Sequence, residues 1–139
     1  MISYHFENDF VLQEQDKYTN WIISILQVEN NQCGELSYIF CDDDYLGEIN
    51  LQYLNHCTYT DIITFDYSNG GIITGDIFIS TERVDDNSKK FNTAFENELK
   101  RVMAHGVLHL MGYDDKTEVE KEVMRAKEDE LIKMFHVEQ

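Results

Sequence analysis

The chain has 139 residues, enough for one domain whose hydrophobic core needs neither disulfides nor a metal to hold it together. Hydrophobic residues make up 42% of it and aromatics 12%, a globular composition that excludes a disordered chain. The formal charge of −16 repels phosphate backbones, which draw proteins by releasing counterions to lysine and arginine, so composition by itself argues against a nucleic-acid ligand.

Met1-Ile2-Ser3-Tyr4-His5-Phe6-Glu7 has no basic region and no apolar stretch, so no secretory signal is expected, and residues 2–6 read as a short strand. From Tyr18 the apolar residues Trp21, Ile22, Ile25 and Leu26 follow at the spacing of one helical face. Gly34 opens a strand through Leu36, Tyr38 and Phe40. Asp42, Asp43 and Asp44 suit a helix start, where carboxylates meet free N–H groups and the positive dipole end. That helix would turn Tyr45, Leu46, Ile49 and Tyr53 inward. Two β-branched runs, 61–67 and 72–80, are joined by Ser68-Asn69-Gly70-Gly71, in which Asn-Gly supplies the positive φ angles of a tight antiparallel hairpin. Thr93 and Glu96 make a capping box for a helix that buries Phe95, Leu99, Val102, Met103 and Leu110. Thr117 and Glu120 make another, for a last helix carrying Val123, Met124, Leu131 and Phe135. The order βαβαββαα predicts a single α+β domain over 1–139, a small mixed sheet packed against helices. No apolar run approaches the ~20 residues of a membrane helix, so no membrane partner is expected. Cys33, Cys41 and Cys57 are odd in number and form no C-x-x-C pair, which reads as free thiols in a reducing cytoplasm.

The stretch that carries chemistry runs from His105 to Asp115, H-G-V-L-H-L-M-G-Y-D-D. Four helical residues turn through about 400°, so His105 and His109 leave a helix on nearly the same side, about 6 Å apart. Two imidazoles so placed can share one metal ion, and both sit at the flank of the apolar stripe, at the edge of the core. Gly112 can take a left-handed conformation, end the helix and turn the chain back, bringing Asp114 or Asp115 to the ion as an oxygen ligand. Three protein ligands leave a fourth position for water, which separates catalytic zinc sites from closed structural ones and makes hydrolysis the expected chemistry. The spacing H-x-x-x-H-x-x-G-x-x-D also matches metzincin proteases, whose general base is a glutamate directly after the first histidine. Here that residue is Gly106, so a protease would lack its proton acceptor.

The pattern H-G-x-L-H-L-x-G-Y-D at 105–114 closely resembles the YbeY family of bacterial metal-dependent endoribonucleases, also called rRNA maturation factors. Upstream, Asn50, Tyr53 and Thr60 to Phe65 are similar to the family's L-N-x-x-Y-R-x-x-D-x-P-T-D-V-L-S-F segment. Gly75-Asp76-Ile77-Phe78-Ile79 resembles its G-D-I-x-I strand, and Met124, Glu128 and Leu131 its closing helix. The resemblance implies an α+β fold with one ion, zinc or another divalent transition metal, held by three histidines on and just after a core helix. His105 and His109 match two of them, and the third falls on Asp115. The resemblance further implies cleavage of single-stranded RNA, 16S rRNA 3′-end processing and ribosome quality control in the cytoplasm. Ribosomal RNA and ribosomal proteins are then the expected partners, and DNA is not.

Departures from the family pattern matter as much. The family's arginine, tied to the scissile phosphate, falls on Leu54, which offers no donor. The catalytic candidates are His56 and Asp114: His56 either substitutes as a cationic group or is a surface loop histidine, and Asp114 either orients a metal ligand or caps the next helix. Cys57 and Tyr59 stand where the family has aspartate and proline. Thr60 and Asp61 either line the cleft and bind substrate or cap a turn. Lys89, Lys90, Lys100 and Arg101 are the cations expected at its rim. Two readings compete with the nuclease: a hydrolase of peptides or small molecules, and a non-catalytic ribosome assembly factor with a structural metal.

Overall fold

The computed structural model describes residues 1–54 and 60–137, so the expectations for His56, Cys57 and Tyr59, and for the side chains of Tyr53 and Leu54, lie outside the described residues. In chain order these form β1 (Ile2–Phe6), α1 (Gln15–Val28), β2 (Gln32–Cys41), α2 (Asp43–Leu54), β3 (Ile62–Asp66), β4 (Ile72–Ser80), α3 (Thr81–Lys90), α4 (Phe95–Leu110) and α5 (Glu118–Val137). The strands make one mixed sheet in the order β1-β2-β4-β3. β1, β2 and β4 run parallel, and β3 pairs antiparallel with β4.

Side chains alternate across a strand, so each strand feeds two faces. Leu36, Tyr38 and Phe40 of β2 and Ile73, Ile77 and Ile79 of β4 share the main core with residues of α1, α4 and α5. On the other face a smaller cluster of Cys41, Leu46 and Ile63 seats α2. Polar ties fix the helices to this frame: the Trp21 indole donates to the Leu131 carbonyl at 2.7 Å, and the Tyr38 hydroxyl to that of Met103 at 3.1 Å. α4 lies against β3, β4, α3 and α5 at once, which places its exposed edge between the start of β3 and the face of α5.

The α+β reading holds, with one helix more than the predicted order. α3 went unseen because its ten residues carry a single apolar side chain, Val84, which leaves periodicity nothing to register. Its start is set instead by Ser80, whose side chain accepts from the Arg83 N–H. The box expected at Thr93 and Glu96 is not used. Thr93 gives its N–H to the Ser88 carbonyl to close α3, and α4 begins after Ala94 with no side-chain cap. The box at Thr117 and Glu120 does form, with reciprocal bonds of 3.1 and 3.0 Å. Asp42 caps α2 by accepting from the Tyr45 N–H, but Tyr45 and Val123 are exposed rather than inward, and Phe95 is only half-buried. In the hairpin, Asn69 and Ile72 bond reciprocally, and the positive φ angles fall on Gly70 and Gly71 rather than on Asn69. β2 starts at Gln32, before Gly34. Cys33 and Cys41 are free thiols. Among the described residues no helix is long and apolar enough to cross a membrane.

Candidate metal centre

The last turn of α4 builds the site. His105 and His109 sit at the edge of the helix, each about a quarter exposed at the side chain, while Val107 and Leu108 between them are fully buried. Gly112, at φ +101°, ends the helix as the sequence expects. Its N–H reaches the His109 carbonyl, and the Tyr113 N–H reaches that of Leu108, the paired bonds of a glycine-terminated helix. Gly106 has a packing role that the comparison with proteases hides. A Cβ there would lie 2.9 Å from both Ile62 Cδ1 and Ile77 Cγ2, so α4 crosses the sheet at this residue. A glutamate base has no room at this point. Gly106→Leu should cost about 1–3 kcal/mol by overpacking, read as a lower melting temperature; an unchanged melting curve would refute the close crossing.

The turn after Gly112 returns Asp115, not Asp114, to the two imidazoles. Asp115 Oδ2 lies 3.2 Å from His105 Nε2 and 3.6 Å from His109 Nε2, and the two Nε2 atoms are 2.9 Å apart. All three groups form one potential metal-binding set. Asp114 is exposed and stays outside it.

Hydrogen bonding shows what the set demands. His105 Nδ1 is 2.6 Å from Glu128 Oε2, and His109 Nδ1 is 2.9 Å from the Tyr113 carbonyl oxygen. Both partners are acceptors, so each Nδ1 carries a proton, and in the neutral form of the rings each Nε2 turns a lone pair toward the other. With the Asp115 carboxylate, three acceptors then converge, and a metal cation satisfies all of them at once. Ligands about 2.0–2.2 Å from a tetrahedral zinc stand roughly 3.3–3.5 Å apart, and the three separations here bracket that value. The residues present therefore fit zinc or a similar ion. The pull toward positive charge also shows in His105. Burial pushes its pKa down, but the hydrogen bond and charge of Glu128, helped by Asp115 and Asp61, outweigh burial and leave it raised.

Glu128 is marked in the sequence only through the resemblance to the family's closing helix, with no role assigned. It is 5% exposed, and its two oxygens are divided between His105 and Arg101, the latter at 2.9 Å. Arg101 in turn reaches Asp129 at 2.5 Å. This carboxylate locks both the tautomer and the ring angle of His105. The signal for it was weak, since α5 is charged on nearly every side and its cleft face is marked only by the spacing of Lys121, Arg125 and Glu128.

The set lies in a cleft of about 720 Å³. Thr60 and Asp61 line it, as the sequence allowed; the Thr60 hydroxyl donates to the Ile62 carbonyl, and the Asp61 carbonyl accepts from the Ser80 N–H. Burial raises the pKa of the Asp61 carboxyl, while the nearby His105 lowers it by less. Of the four cations expected at the rim only Arg101 is there, joined by Lys121 and Arg125 from α5. Lys100, one residue round the helix from Arg101, is buried with its ammonium 3.9 Å from the Phe135 ring centroid. Lys89 pairs with Asp85, and Lys90 lies over Phe91.

The family model described as Endoribonuclease YbeY matches residues 3–136. The chain belongs to that family. Relatives named Endoribonuclease YbeY include one from Flavobacterium johnsoniae, 55% identical over 139 residues and covering all of both chains. Another, from Flavobacterium psychrophilum, is 57% identical over 139 residues, covering 100% of this chain and 99% of its own. A solution structure of a Thermotoga maritima protein superposes with a TM-score of 0.70 at 26% identity, covering 99% of this chain and 91% of that one. The Asp115 oxygen stands beside the two imidazoles, where the geometry needs an acceptor.

Proposed function

We propose that this chain is a metal-dependent endoribonuclease that cleaves single-stranded RNA, acting in the cytoplasm on ribosomal RNA precursors at the 16S 3′ end and in ribosome quality control. The observation that supports this best is the convergence of three potential metal ligands at the base of an open cleft, in a chain of the YbeY family. A divalent transition ion, zinc in the first instance, would be held there by His105, His109 and Asp115 and would supply Lewis acidity to a phosphodiester.

The chain's own groups do the rest. Among the described residues three cations, Arg101, Lys121 and Arg125, line the cleft against four carboxylates, Asp61, Glu98, Asp115 and Glu128. The balance is negative until a doubly charged ion is added, so the loaded cleft attracts the phosphate that the empty one repels. Lys121 and Arg125 lie one helical turn apart, spaced to take phosphates flanking the scissile one. With Leu54 at the position of the family arginine, these two and Arg101 take over phosphate positioning. Asp61, its proton affinity raised by burial, is suited to accept a proton at the cleft floor.

The test uses zinc-loaded protein and a single-stranded RNA carrying a 16S precursor end, free and within ribosomes. Cleavage should stop with a chelator and should be absent on casein, since no base stands at Gly106. Binding to the free strand should weaken with salt along a shallow log–log slope of about −2, as three phosphate contacts imply. No cleavage of either substrate by fully loaded protein would leave the assembly-factor reading in its place, and a slope several times steeper would refute the count of contacts.

A further inference from the structure

A second cavity opens beside the metal cleft, and we infer that it is a nucleobase subsite, in which the base of a nucleotide near the scissile phosphate stacks on Phe91. This rests on the endoribonuclease reading and adds to it the part of the substrate gripped away from the ion. The cavity, of about 320 Å³, is of a size to take a small ligand. It shares Glu98, Arg101 and Arg125 with the metal cleft, so the two are one continuous groove.

The groove follows from helix geometry. Asn97, Arg101, His105 and His109 recur every four residues on α4 and form a stripe stepping roughly 6 Å at a time. Lys121, Arg125 and Ile132 face them from α5, which runs the opposite way. A strand with a phosphate at the histidines and another at Arg101 or Arg125 therefore reaches Asn97 and the second cavity within two steps of about 6 Å.

Phe91 stands at that end. The residue is 58% exposed and lines the cavity together with Thr93 and Asn97. The exposure does not come from a loose loop. Phe91 closes α3, where Asn92 takes φ +54° and the Asn92 and Thr93 N–H groups return to the Lys89 and Ser88 carbonyls, an end motif that fixes the backbone. The Lys90 ammonium lies 5.7 Å from the ring centroid. An exposed aromatic ring on a held backbone, beside two guanidinium groups and an ammonium, matches one nucleotide of a single strand: an apolar plate for the base and cations for its phosphate. A paired base is already stacked in its own helix and has no face to offer.

The deciding experiment measures binding of two fluorescent probes to zinc-loaded protein, hexauridylate and a hexamer of the same ribose-phosphate backbone without bases. Phe91→Ala should weaken hexauridylate about tenfold or more and leave the abasic strand unchanged, while Phe91→Trp should restore the loss. Zinc content and melting temperature should not move, because the ring is largely solvent-facing. Equal affinity of wild type and Phe91→Ala for hexauridylate, or equal losses on both probes, overturns the subsite. Hexauridylate cleaved by both proteins with the same KM does the same and leaves the nuclease reading standing. Binding that depends on Phe91 without any cleavage keeps the subsite and removes the nuclease reading.

Discussion

His109→Ala is expected to abolish stoichiometric zinc binding and to lower RNA cleavage on the order of 10³-fold, about 4 kcal/mol of transition-state stabilisation. Among the described residues His109 is one of three converging acceptors, and its Nε2 lies 2.9 Å from that of His105. Two remaining ligands cannot hold an ion against water and buffer. The fold should survive, because the side chain is partly exposed and the turn it touches is held by the backbone bonds around Gly112. Elemental analysis of the purified variant, paired with circular dichroism, gives the answer. A folded His109→Ala protein that retains one equivalent of zinc would disprove the site.

Glu128→Gln should lower zinc affinity about 10–100-fold with the fold retained, even though residue 128 touches no ion. Glutamine keeps the shape but has one acceptor atom where glutamate has two. If that oxygen takes the His105 Nδ1 proton, the amide nitrogen faces the Arg101 guanidinium, donor against donor. Arg101 keeps Asp129, so the loss of stability should stay at about 1–3 kcal/mol. Asp129→Asn is the control, since that carboxylate is half exposed and should cost less than about 1 kcal/mol with zinc affinity unchanged. Zinc titration against a competing chelator separates the cases. Wild-type affinity in Glu128→Gln would mean that the backbone alone aims His105.

Local chemistry was written plainly enough in the sequence to be read without a fold. The α1 face at Tyr18, Trp21, Ile22, Ile25 and Leu26 is buried as its spacing requires. The Thr117 box, the hairpin and the left-handed Gly112 also follow from rules that act within a few residues. The pair His105 and His109 belongs to the same class, because a helix fixes the relation of residues four apart. Where those rules misled, the end of a neighbouring element had overridden them. Thr93 had two backbone uses open to it, and the end of α3, itself unmarked by apolar spacing, took the one that the capping box needed.

What the chain could not state in advance was which distant residues would meet the histidines. The resemblance to the family's closing helix picked out Glu128, but its local chemistry does not separate it from Glu122 or Glu130, which lie on the solvent side of the same helix. Its role depends on the rotation of α5 about its own axis, set by Trp21, Phe135 and Leu131 packing far from the site. The same packing brings Arg125 and Lys121 to the cleft and turns Lys100 into the core. A choice between Asp114 and Asp115 likewise needed the path of the turn, since adjacent residues point different ways and only Asp115 comes back over the imidazoles. Thus the sequence determined the ligand pair, the helix end that frames it and the α+β class, because each depends on periodicity or on a single φ angle. The tertiary structure decided the role of the carboxylate behind His105 and the cations that α5 brings to the groove, because these depend on how helices far apart in the chain turn their faces to one another.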